Sequence, residues 1–257
     1  MGACPIGHIG GMRRSLLCSL LATTLLLTAA CDGRGVFAGH GDDGHRDNGH
    51  SGSGDRVVTG GSVGDHDRAT FAIVSGADVV RVRAADLGGD LYRVSTADDA
   101  KVRPSVRVDG DTVYAALADT GDPGPAVVTA ELSSAVHWQL RFDGGAKEES
   151  ADLAGGKATG VSFVAGTSLA EVTLPAAQGS VPVTLGGGAS QVTVHLTGNA
   201  PVRVRVGGGA GSVTVDGTRH TGIAGGTDFA PAGWSAATDR YDIDLTSGVS
   251  NLTVDRR

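Results

Sequence analysis

The chain has very little cysteine, lysine or aromatic residue to build with. Its three cysteines, Cys4, Cys18 and Cys31, all fall within the first 31 of 257 residues. Everything after them lacks a disulfide, a thiolate zinc site and a thiol nucleophile. Aromatic residues make up 4% of the chain, whereas glycine contributes 42 positions. Glycine weakens helix interiors by about 1 kcal/mol per site, which argues against a helical bundle. The glycines do not follow the one-in-three period of collagen, and 40% hydrophobic content is too high for a wholly disordered chain. The formal charge is −7, and without Arg13 and Arg14 at the N-terminus it becomes −9. A domain this acidic lacks the clustered cations that phosphate backbones require, so nucleic acid is excluded as a partner.

Arg13-Arg14 precede an apolar run from Leu16 to Ala30. A positive head, an apolar stretch and small residues at its end form the pattern of a secretory signal. The run is shorter than the roughly 20 residues of a spanning helix. It ends Leu27-Thr28-Ala29-Ala30-Cys31, which resembles the lipobox of bacterial lipoproteins, with Thr28 where that family has leucine. The resemblance implies a lipoprotein signal peptide over residues 1–30, lipidation of Cys31, and extracytoplasmic anchoring to a membrane. Met12, directly before the two arginines, is an alternative start.

Residues 31–62 hold ten glycines and five aspartates. Such a segment buries too little apolar surface to offset its chain entropy and reads as a flexible tether. Within it, His40, His45 and His50 alternate with aspartates and are weak candidates for a metal site. Their glycine-rich surroundings favour a solvated spacer, so neither metal nor cofactor is expected. Gly60-Gly61-Ser62-Val63-Gly64 matches the G-x-S-x-G string of a nucleophile elbow, which needs a strand before the serine and a helix after it. Neither is expected here.

Beyond residue 130 short apolar-x-apolar units repeat. One series, centred on Glu131, Asp152, Thr173, Thr193, Thr214 and Thr253, advances by 21, 21, 20, 21 and 39 residues. A second, centred on Gln139, Ser162, Thr184, Arg205 and Asp244, advances by 23, 22, 21 and 39. Alternation of period two indicates strands. Two strands per repeat of about 21 residues indicate coils stacked on one another. The expected fold is therefore all-β: a single-stranded β-solenoid, or β-helix, over residues 63–257. The shared long step places a loop insertion at 218–240. Residues 68–117 carry irregularly spaced strands that are either degenerate coils or a cap over an open end.

The run Gly233-Trp234, Ala237 to Leu245 and Gly248 to Val254 resembles the end of bacterial envelope proteins with an adhesin-type β-solenoid domain, which are similar to cell-wall-stress-response domains. The resemblance covers residues 125–257 and consists of packing and turn residues, so it transfers no catalytic group. It implies a non-enzymatic surface module, with a cell-wall glycan or an envelope protein as its partner. Envelope-stress signalling is a further alternative.

If valine and leucine face inward, the central residues of the units face out. Thr173, Thr193, Thr214 and Thr253 then form a hydroxyl row that offers a repetitive polymer hydrogen bonds, although threonine also simply suits exposed strands. Arg205 and Asp244 become a surface ion pair, and Arg81, Arg83 and Arg203 a solvated face. Asp242 and Asp244 are the carboxylates that a polysaccharide-cleaving enzyme would use. A calcium coil of the GGxGxD type fails, because Val213 occupies the aspartate position. His137, His195 and His220 are read as surface residues.

Overall fold

The computed structural model describes residues 56–257, which are all-β apart from short 3-10 turns at Val63–Asp65 and Trp234–Ala236. In chain order the strands are β1 (Val57–Ser62), β2 (Arg68–Ile73), β3 (Ala77–Ala85), β4 (Asp90–Thr96), β5 (Val102–Asp109), β6 (Thr112–Asp119) and β7 (Val127–Ser133). The middle of the chain supplies β8 (His137–Phe142), β9 (Ala146–Asp152), β10 (Lys157–Phe163), β11 (Thr167–Leu174), β12 (Ser180–Leu185) and β13 (Ala189–Leu196). The C-terminal part adds β14 (Val202–Val206), β15 (Ala210–Val215), β16 (Thr218–Ile223), β17 (Thr227–Phe229), β18 (Arg240–Leu245) and β19 (Val249–Arg256).

These strands form two mixed sheets. Sheet I has ten strands in the order β1-β4-β7-β3-β9-β11-β13-β19-β15-β16. Sheet II has nine, in the order β17-β14-β18-β12-β10-β8-β2-β6-β5. A coil is one strand of sheet II followed by one of sheet I, as in β8–β9 or β18–β19. Within both sheets the coil strands pair in parallel.

Alternation along each strand puts one set of side chains between the sheets. In sheet II, Val113, Phe71, Leu140, Val161, Val183, Ile243 and Val204 are in register, and none is more than 1% exposed. Phe142 and Phe163 stack on adjacent coils with their ring centroids 4.7 Å apart. Each fully buried aliphatic or aromatic side chain contributes about 1.5–3 kcal/mol relative to exposure. The two largest inward residues also satisfy their polar atoms. Trp138 Nε1–H donates to the Ser133 carbonyl at 2.9 Å, and Tyr241 O–H lies 2.7 Å and 2.9 Å from the Pro175 and Thr197 carbonyls.

The turns leading from sheet II into sheet I pack backbone on backbone. A Cβ on Gly187 would lie 2.2 Å from the carbonyl carbon of Ala165, and one on Gly208 2.4 Å from that of Ser247. Glycine is required there for close approach.

The coils follow chain order only from β8 to β13. The last coil, β18–β19, does not continue the stack outward. It inserts between β12–β13 and β14–β15. The N-terminal end has the same arrangement, with β6–β7 outside β2–β3. The expected single winding in sequence order therefore gives way to a two-sheet stack with out-of-order coils at both ends. Residues 68–117 supply coil strands and part of a cap. Antiparallel strands flank the outer coils: β4, β1 and β5 at one end, β16 and β17 at the other. The segment expected as a loop at 218–240 thus contains two flanking strands. Residues 57–62, expected in the tether, form β1.

Leu252 and Thr253 are consecutive on β19, with Leu252 1% exposed and Thr253 half-buried on the outer side. Leu252→Asp should lower the melting temperature by about 10 °C or more, because it buries a lone carboxylate. Thr253→Asp should shift it by no more than about 2 °C. Equal losses in a thermal melt would overturn the inward and outward assignment.

Candidate functional site

The outer face of sheet I over its C-terminal coils carries rows of uncharged polar groups. Thr193, Thr253 and Thr214 are in register across β13, β19 and β15, and Arg219 of β16 ends the row. Thr173 does not join them. The β11–β13 register sets it beside His195 and puts Glu171 next to Thr193. The displacement is two residues, so Thr173 still faces out.

A parallel row contains Gln191, Asn251 and Ser212. Ser212, 5% exposed, donates its hydroxyl to Asn251 Oδ1 at 2.9 Å. That bond leaves the amide nitrogen of Asn251 available as a donor. A shallow groove lined by Ala189, Ala210, Val249 and the backbone of Gly211 and Ser250 borders this face. Sequence reading identified the threonines but not this second row, whose signal was the polar residue preceding each of these apolar-x-apolar units.

His195 occupies an outward position as expected, yet it is 3% exposed. Its Nδ1 lies 2.5 Å from Asp255 and its Nε2 3.3 Å from Glu171. Both ring nitrogens are occupied by carboxylates from adjacent coils, which leaves neither for a substrate or metal. His137 contacts Gln178 and the Asp67 carbonyl, each at 3.3 Å. The His220 ring lies tilted by 33° against Phe229, with centroids 4.7 Å apart.

Sheet II presents a different outer face. Arg203 binds Asp242 through two hydrogen bonds of 2.9 Å and 2.6 Å, and its guanidinium lies 3.8 Å from the Trp234 ring centroid. The Asp242 bond pushes the Arg203 pKa above its ordinary value. Arg205 pairs with Asp244 at 3.1 Å, as the repeat alignment expected. Arg203 is therefore ion-paired rather than simply solvated. On sheet I, Arg83 of β3 is likewise paired, with Glu131 of β7 at 2.5 Å. The two carboxylates considered for glycan cleavage each face an arginine, an arrangement suited to a fixed ion pair rather than to proton transfer.

Ser62 ends β1 and caps a 3-10 turn, contrary to expectation, and His66 bonds Asp111 at 2.8 Å nearby. The N–H of Val63, which a nucleophile elbow directs at the oxyanion, instead donates to the Gly89 carbonyl at 3.0 Å. The site lacks that donor. Among the described residues, no three His, Cys, Asp or Glu side chains group as a metal site, and no helix is long and apolar enough to cross a membrane. Cys31, His40, His45 and His50 lie outside the described residues.

No family model matches the chain, and no curated protein matches it in sequence. Among solved structures, it is similar to a putative cell adhesion protein from Clostridium sporogenes. That alignment has a TM-score of 0.57 and 14% identity, and covers 78% of this chain and 98% of the other. A putative adhesin from Bacteroides fragilis aligns over 77% of this chain and 96% of its own, at 11% identity and a TM-score of 0.24. The first likeness is one of fold.

Asp242→Asn should cost about 1–3 kcal/mol, because it weakens a charge-assisted double hydrogen bond. Asp244→Asn, at a more exposed pair, should cost about 0–1 kcal/mol. Urea denaturation of the two variants measures both. The reverse order of losses would refute this ranking of the pairs.

Proposed function

We propose that the chain is a non-enzymatic, adhesin-type surface module. In this reading it is a lipoprotein held to a membrane through Cys31, with residues 31–55 as the tether and the coil stack as a rigid β-solenoid body. The binding surface is the outer face of sheet I, centred on Thr193, Thr253 and Thr214, and its ligand is a hydroxyl-rich cell-wall polymer. The observation that carries this reading is the in-register polar face: three aligned hydroxyls flanked by amides, repeated at the spacing of strands. The fold likeness to the Clostridium sporogenes protein and the lipobox-like leader support it.

The aligned threonines offer hydrogen bonds rather than charge or ring stacking. Each contact is then weak, and binding gains strength through repetition along a polymer. It should also survive moderate salt, because uncharged hydrogen bonds are not screened as ion pairs are.

Two measurements test the proposal. The full chain should pellet with isolated cell-wall polymer at moderate salt, and Thr253→Arg, which raises a long side chain at the centre of the face, should reduce pelleting at least about tenfold (about 1.4 kcal/mol). If Thr253→Arg pellets like the parent, the face is not the binding surface; protein that stays in the supernatant points to a protein partner. Separately, Cys31→Ala should move the chain from the membrane fraction to the soluble extracytoplasmic fraction. Retention in the membrane fraction would rule out Cys31 as the anchor.

A further inference from the structure

An inward position of sheet I carries a carboxyl group. Glu149 lies in register between Val80 of β3 and Ala170 of β11. It is 1% exposed, and neither carboxylate oxygen makes a hydrogen bond of good geometry. Its polar neighbour, Thr167 of β11, donates its own hydroxyl to the Leu169 carbonyl at 3.1 Å. On β9 the nearest cation in sequence is Lys147, which lies 2.8 Å from Asp78 of β3. Asp78 also holds Lys101 at 3.3 Å and the Ala126 N–H at 2.8 Å. The local lysines are thus already committed to another carboxylate. The inward residues of β8 and β10 in sheet II are apolar, including Trp138, Leu140 and Val161.

Buried carboxyl groups without partners resist ionisation, because the low-dielectric interior penalises the charged form. We propose that Glu149 makes the coil stack proton-dependent: the neutral acid is accommodated in the centre of sheet I, and loss of its proton loosens β3, β9 and β11 against one another. This property is independent of what the outer face binds.

Burial pushes the Glu149 carboxyl up to about 8, with Thr167 opposing the shift, from an ordinary value of 4.5. Between these values the folded chain keeps a proton that the unfolded chain has released. Stability contributed by the neutral acid is therefore complete below about pH 4.5, declines as pH rises towards 8, and is lost above it. The module is then most tightly closed in acidic surroundings.

Thermal unfolding of the full chain between pH 5 and pH 9.5, compared with Glu149→Gln and Glu149→Met, tests this. The parent melting temperature should fall by about 10 °C across the range. Both variants should fall far less and should melt above the parent at pH 9. The glutamine amide is itself left without partners and could prevent folding. In that case the methionine variant decides, since it is of similar length and cannot ionise. A Glu149→Met profile parallel to the parent's, or a parent profile that is flat, would overturn the proposal.

Discussion

The structure depends on parity. Parallel strands can stack their apolar side chains only if neighbours are displaced by an even number of residues, because an odd displacement turns every inward side chain outward. The chain meets this constraint despite unequal repeat lengths. Between β11 and β13, Val172 pairs with Val194 rather than with Val192, a slip of two that leaves both faces intact. Between β8 and β10 the register shifts at Ala158/Gly160, and the bulge absorbs one residue that would otherwise invert the rest of the strand. Irregular spacing is tolerated where it preserves parity and is corrected where it does not.

The ends of the stack face a second constraint. A parallel coil left open exposes a row of unpaired backbone groups that can recruit another chain. Here each outer coil is flanked by antiparallel strands, and at both ends the outermost coil is not the terminal one in sequence. The placement of β18–β19 inside β14–β15 has a consequence for folding. Among the described residues, the β14–β15 coil has its parallel neighbour in β18–β19, which come last in sequence, so that end is not completed by adding coils in order. Contacts such as Arg203–Asp242 and Tyr241 with the Pro175 carbonyl span 39 and 66 residues. Formation of this end requires non-local closure, which slows folding, and its stability is not a simple sum over successive repeats.

Much of this architecture was legible in the sequence, and the rest was hidden for identifiable reasons. Period-two alternation and coordinated steps revealed the strands, the two faces and the Arg205–Asp244 pairing. The coil order was not legible, because a step of 39 residues looks the same whether the next coil is added outside or inserted inside. Thr173 was misaligned because repeat counting supplies a length, whereas register is set by packing across both sheets. His195 was correctly placed on the outer side, but its burial arises from Glu171 and Asp255, which come from different coils. Glu149 had a visible trace: Lys147-Glu148-Glu149-Ser150 breaks the alternation with consecutive polar residues, and pattern reading had no means of telling which one turned inward.

The same balance of partnered and unpartnered groups distinguishes the two outer faces. On sheet II, Arg203, Arg205 and Arg141 each contact a carboxylate of this chain. A ligand there would have to displace an existing charge-assisted bond before making its own. On sheet I the aligned threonines are uncharged and stand half-exposed to solvent. Exchanging water for a ligand hydroxyl costs little when the group remains bonded throughout. The gain per group is small for the same reason, and only a ligand that repeats along the coil axis accumulates it. On the proposed reading, the face would suit a polymer better than a small molecule, and its selectivity would come from the fixed spacing of the strands rather than from any single residue.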